Sequence, residues 1–259
     1  MNTQLILSLV SGLFISSIAA YLGTLMLSKK MSVVAGPLAH LAFPGVALAI
    51  IYHFSFAFGV FPFVILGAIL IWFLEKKTKL PMENLTAVIF AFGVGTSLLF
   101  LPIDQAEEAL VGSIMKISSW ETIMVVVLSV FVYFSVQYIY KKIILININE
   151  DIAIVKKINV STYNLIYLLS IAVVVALGVY LVGGLITVAL IAIPAGAARN
   201  ISRSLPEYKF WAVFFGIAGT IIGMFISQQW GLPTGPLIVV IEAILFLLSV
   251  VYKQIRRRS

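Results

Sequence analysis

The chain has no cysteine, only two histidines and 10% charged residues in 259, and each shortage removes a class of protein. Without cysteine there is no disulfide, no thiolate metal site and no thiol nucleophile. No G-x-x-x-x-G-K-[ST] loop and no H-E-x-x-H helix occur, so the sequence carries neither an ATPase nor a metalloprotease signature. With 62% hydrophobic residues and a mean hydropathy of +1.13, charge is too scarce for a soluble domain. An all-α polytopic membrane protein remains, read as one transmembrane domain over residues 1–259.

What charge there is sorts the chain. The net charge of +7 falls in short clusters between apolar runs, as in cytoplasmic loops, so a lipid bilayer and not a nucleic acid is the expected partner. Apolar segments lie near residues 3–27, 31–50, 56–74, 85–101, 120–140, 163–181, 210–228 and 234–252, with a shorter run from about 185. Positive charge follows the first run instead of preceding it, which predicts a retained helix and not a signal peptide. About nine crossings result, with the N-terminus outside and the C-terminus cytoplasmic, in a multi-pass protein of the inner (cytoplasmic) cell membrane. Of 17 basic residues only Lys116 then falls outside.

The second segment is the irregular one. Pro37 and Pro44 each remove a backbone donor, while Gly36 and Gly45 permit close approach, so this span is predicted to be broken. His40 sits between the breaks. An imidazole at membrane depth either lines a pathway or donates a hydrogen bond across helices. The loop after the fourth span carries Asp104, Glu107 and Glu108; these either greet a cationic cargo or docking protein or merely solvate the loop. The short seventh run ends in Pro194, Ala195, Gly196, Ala197, Ala198, Arg199, Asn200 and Arg203, which suits a segment turning at the inner boundary toward a cytoplasmic partner. That feature favours a permease driven by a separate motor over a secondary transporter or an intramembrane enzyme, and no internal repeat supports the secondary transporter.

Three stretches, KKMSVVAGPLAHLAFPGVALA, GGLITVALIAIPAGAARNISRS and LPTGPLIVVIEAILFLLS, resemble in order and spacing the signature regions of ABC-transporter permeases that import zinc, manganese or iron. The resemblance implies a homodimeric permease that is not itself an enzyme and binds no cofactor. ATP and Mg would sit on a dimer of cytoplasmic ATPases, an extracytoplasmic solute-binding protein would deliver cargo, and the segment from Pro194 to the arginines would seat on the ATPase. In the family an aspartate usually stands four residues before the histidine. Here that position is Gly36, so the imidazole lacks its usual oxygen partner.

Glu242, in the last span, is the candidate replacement. A mid-membrane carboxyl group costs roughly 2.5–3.5 kcal/mol unless it finds a partner or water. Counted from the outer ends, His40 lies about 11 residues deep and Glu242 about 8, within roughly 5 Å in depth. The expectation is a transient metal site formed by His40 and Glu242, with an altered permease cargo or a secondary transporter as the alternatives.

Overall fold

Apolar runs in a medium without water leave backbone N–H and C=O groups to satisfy one another, and in the computed structural model these runs are helices. The structure describes residues 3–28, 35–100, 117–181 and 183–258. Among them lie α1 (Thr3–Ser28), α2 (Ala35–His40), α3 (Ala42–Ile51), α4 (Phe56–Thr78), α5 (Met82–Phe100), α6 (Ser119–Ile148), α7 (Glu150–Val155), α8 (Val160–Leu181), α9 (Gly184–Ile201), α10 (Leu205–Trp230) and α11 (Thr234–Arg258). Six of these, α1, α4, α6, α8, α10 and α11, contain segments long and apolar enough to cross a membrane. Shorter apolar stretches at Ala35–Ala49, Asn84–Thr96 and Thr187–Ile201 occupy the second, fourth and seventh segments of the sequence.

The break in the second segment falls where the prolines predict it. Pro44 has no N–H to give the His40 carbonyl four residues back. At Leu41 the helix turns, and the Leu41 N–H is shared between the carbonyls of Pro37 and Leu38, each at 3.2 Å. The Leu41 side chain is held in a socket: a Cβ on Gly67 would lie 2.5 Å from its Cδ1, and one on Gly93 2.8 Å from its Cδ2. Beyond the break, α3 and α4 meet backbone to backbone. A Cβ on Gly45 would stand 2.2 Å from the Gly59 carbonyl oxygen, and one on Gly59 2.2 Å from that of Gly45. Small residues allow this approach, which raises dispersion contact where lipid offers no hydrophobic drive.

Polar contacts fix the relative directions. α1 and α6 run parallel, since Ser11 bonds Thr122, Tyr21 bonds Gln137 and Thr24 bonds Tyr140 in ascending order. α10 returns against α1, with Lys209 over Tyr21 and Gly216 against Ser16 and Ala20. α9 and α11 run together through Asn200 to Ser249 and Arg256 to Ile201. Trp72 on Ser161 and Lys142 on Tyr163 bring the ends of α4 and α6 to the start of α8. The basic clusters of α4, α6, α9, α10 and α11 therefore gather at one end of the bundle.

One boundary differs from expectation. The sequence predicts a loop over 141–162, whereas α6 continues to Ile148 and α7 follows. Buried Ile143 and Ile146 extend the packing face of α6 beyond the lysines, and the Asn149 side chain caps α7 by accepting the Ile152 N–H at 3.1 Å.

Gly45→Ala is expected to destabilise the bundle by about 1–3 kcal/mol, the usual cost of overpacking. Gly95→Ala, where a Cβ meets nothing within 4 Å, is the control. Thermal unfolding in detergent checks this, and equal midpoints for the two variants would contradict it.

Candidate transport site

His40 ends α2 at the break. Its ring is half-buried between Phe43 and Phe90, each with its centroid 5.2 Å away. Nδ1 is buried and has no hydrogen-bond partner among the described residues. A side chain anchored only by ring contacts keeps a nitrogen lone pair or N–H available for something else. Pro37 and Pro44 flank it as the sequence predicts. Gly36 departs from the glycines that serve packing: a Cβ there would meet only Val188 Cγ2, at 3.9 Å, an ordinary contact.

Glu242 lies on α11 and is 1% exposed. Neither carboxyl oxygen has a hydrogen-bond partner among the described residues. Its space is made by Gly219 of α10, where a Cβ would stand 2.5 Å from the Glu242 Cγ and 3.5 Å from Oε1. No hydrogen bond or ion pair joins Glu242 to His40 among the described residues. Instead α9 carries both neighbours: α2 packs on it at Gly36 and Val188, α11 at Gly196 and Phe246. Among the described residues no three His, Cys, Asp or Glu side chains are grouped to hold a metal ion. Asp104, Glu107 and Glu108 lie outside the described residues.

The segment predicted to turn into an exposed helix is the last part of α9 itself. Pro194, Ala195, Ala197 and Ala198 are buried, and Gly196 packs against the Phe246 ring. Small residues here serve helix packing, not display. Exposure begins at Arg199 and at the turn holding Arg203. Since α9 stops at Ile201, these two arginines do not share a helix face. Asn200 ties the turn to α11, donating to Ser249 Oγ and accepting from Lys253 Nζ, both at 3.1 Å.

Sequence reasoning missed Lys209. Its ammonium sits 3.4 Å from the Tyr140 ring centroid and 5.5 Å from that of Tyr21. The two tyrosines are themselves fixed, Tyr140 to Thr24 at 3.0 Å and Tyr21 to Gln137 at 2.5 Å. The pin joins the first turns of α10 to α1 and α6, directly after the arginine turn. Only its residue types were visible beforehand, because Tyr21, Tyr140 and Lys209 are far apart in the chain.

Apolar helices, one of them broken at a half-buried imidazole, with their basic ends on one side, define a multi-pass membrane protein. Residues 1–253 match the model of the ABC 3 transport family. The chain belongs to that family. It is 27% identical over 247 residues to the high-affinity zinc uptake system membrane protein ZnuB of Haemophilus influenzae, covering 93% of this chain and 95% of that one. It is 22% identical over 249 residues to the manganese transport system membrane protein MntC of Listeria monocytogenes, covering 95% and 89%. The fold is similar to that of PsaBC from Streptococcus pneumoniae, solved in complex with Fab, with a TM-score of 0.82 at 20% identity over 95% of this chain and 91% of that chain.

Lys209→Met keeps the side-chain length and removes the cation. It is expected to lower stability by about 1 kcal/mol, since the ammonium is only partly buried and cation–π contacts run from about 0.5–1 kcal/mol when exposed to about 2 when desolvated, while Lys209→Arg retains most of it. Denaturation midpoints in detergent measure this, and a Lys209→Met variant as stable as the parent would remove the pin from the account.

Proposed function

We propose that this chain is the permease subunit of an ABC importer that moves a divalent metal, zinc, manganese or iron, through the interface of a homodimer. Separate cytoplasmic ATPases bind ATP and Mg and drive it, and an extracytoplasmic solute-binding protein delivers cargo. The family match over residues 1–253 carries this reading. Relatives named for zinc uptake and manganese transport support the cargo class. Nine crossings with the N-terminus outside and the C-terminus cytoplasmic accord with six long and three shorter apolar stretches and with a single basic end. The whole chain acts as one transmembrane unit.

In this proposal His40 lines the route. A single imidazole is a poor site for a dication, but a two-fold interface presents each ligand twice. Glu242 is the second transport residue, its unpartnered carboxyl group lying across α9 from α2. Asp104, Glu107 and Glu108 form the outer face met by cargo or binding protein. Arg199 and Arg203 form the surface that engages the ATPase, and the buried run from Pro194 to Ala198 transmits its movement. Rigid-body rocking needs a handle joined to a packed rod. Gly36, in place of the family's carboxylate, supports the second reading, a non-metal solute carried by the same architecture.

Reconstitution with the partner ATPase, followed by ATP-dependent uptake of zinc, manganese and iron with and without the binding protein, separates these readings. Saturable uptake of one metal is expected, lost in His40→Ala and reduced in Glu242→Gln. Because position 36 has room, Gly36→Asp is expected to lower the half-saturation concentration on the order of tenfold by restoring an oxygen ligand. An assembled complex that hydrolyses ATP without moving metal would point to the non-metal cargo. Uptake that persists without the ATPase would instead identify a secondary transporter.

A further inference from the structure

At the basic end, a cleft of about 640 Å³ opens between α10 and α11 beside the arginine turn. Its walls come from helical spacing: Glu207, Trp211 and Phe215 on α10, Leu248, Tyr252 and Arg256 on α11. From Glu207 to Phe215 the wall runs about 12 Å along the helix. Arg203 and Arg256 stand at the charged mouth, and the Arg203 guanidinium has no hydrogen bond or ion pair among the described residues. Glu207 brings the opposing charge, but its carboxylate already accepts the Arg203 backbone N–H at 2.9 Å at the N-terminus of α10, where the helix dipole also offsets it. Apart from Ser249 and the Tyr252 hydroxyl, the rest of the lining is apolar. On the same two helices Phe210, Phe214, Leu247 and Val251 are 63%, 47%, 61% and 53% exposed, a surface that suits acyl chains and not water.

We propose that this cleft is a binding site for an anionic diacyl phospholipid, with its phosphate at Arg203 and Arg256 and an acyl chain along Trp211, Phe215 and Leu248. Two arginines at one end of an apolar slot match a phosphodiester with a hydrocarbon tail, and guanidinium groups favour phosphate through paired N–H donors. A zwitterionic lipid carries a cation that the arginines repel. The inference shares Arg203 with the ATPase surface of the transport reading, so it concerns the chain without its ATPase, and it does not depend on the cargo.

Native mass spectrometry of the purified full chain with phosphatidylglycerol or phosphatidylcholine tests it. The parent is expected to retain phosphatidylglycerol in preference. Arg256→Gln, which removes one interfacial cation, should bind it about fivefold more weakly. Leu248→Trp, which fills the slot without touching charge, should lose it as well. Lys77→Gln, at the same end but outside the cleft, should bind like the parent. Equal retention of the two lipids, or unchanged phosphatidylglycerol binding in both cleft variants, overturns the proposal. Loss of dimer mass with unchanged lipid in Leu248→Trp would make the cleft an interface between copies, and that result also overturns it. No transport is read, so failure here is distinct from failure of the metal reading.

Discussion

Backbone-to-backbone contact between helices is the constraint on which this bundle depends. A Cβ on Gly23 would stand 2.0 Å from the Ile191 carbonyl oxygen, and reciprocal contacts join Gly45 and Gly59. Lipid tails are as apolar as leucine, so helices in a bilayer associate through packing and hydrogen bonds. Removing side chains at the seams is the direct way to increase both. The same device builds the irregular centre. Gly67 and Gly93 leave space for Leu41, Leu41 fixes the break, and the break sets the His40 ring between Phe43 and Phe90.

The polar inventory separates routine from exceptional groups. Ser17, Thr86 and Ser170 each return their hydroxyl hydrogen to the carbonyl four residues earlier, at 2.6, 2.5 and 2.8 Å. Such side chains satisfy themselves within one helix and say little about neighbours. Glu242 has no local alternative of that kind, and Gly219 gives it room without giving it a donor. A helix seam shaped around an acidic side chain, with neither oxygen bonded among the described residues, differs from one that tolerates a serine.

Much of this was legible in sequence, for physical reasons. Proline removes a backbone donor wherever it stands, so the break around His40 followed from Pro37 and Pro44. Long apolar runs and clustered lysines dictated membrane helices and their basic end. Partnerships across the chain were not legible. Equal depth suggested that Glu242 faces His40, but depth omits rotation about the helix axis, and among the described residues no hydrogen bond or ion pair joins the two. The run Pro194-Ala195-Gly196-Ala197-Ala198 read as a displayed segment because small residues suit both exposure and close packing; the partner Phe246 decides for packing. Lys209 is one of 17 basic residues in the sequence. Its meaning depends on Tyr21 and Tyr140, which no local pattern links to it.

α9 links the basic end to the broken helix by direct packing. It is packed on α1 at Gly23, on α8 where a Cβ on Gly178 would meet Thr187, on α2 at Gly36 and on α11 at Gly196. Close packing transmits displacement because interiors are weakly compressible. Pro194 has no N–H for the Leu190 carbonyl, so the rod has a point where it can bend between its two halves. Its C-terminal half ends at the arginine turn, tied to α11 through Asn200. Its N-terminal half carries Val188, against the helix that holds His40. In the proposed coupling, a push at the arginine turn would reach α2 by contact along α9, with Pro194 the point at which that rod can bend.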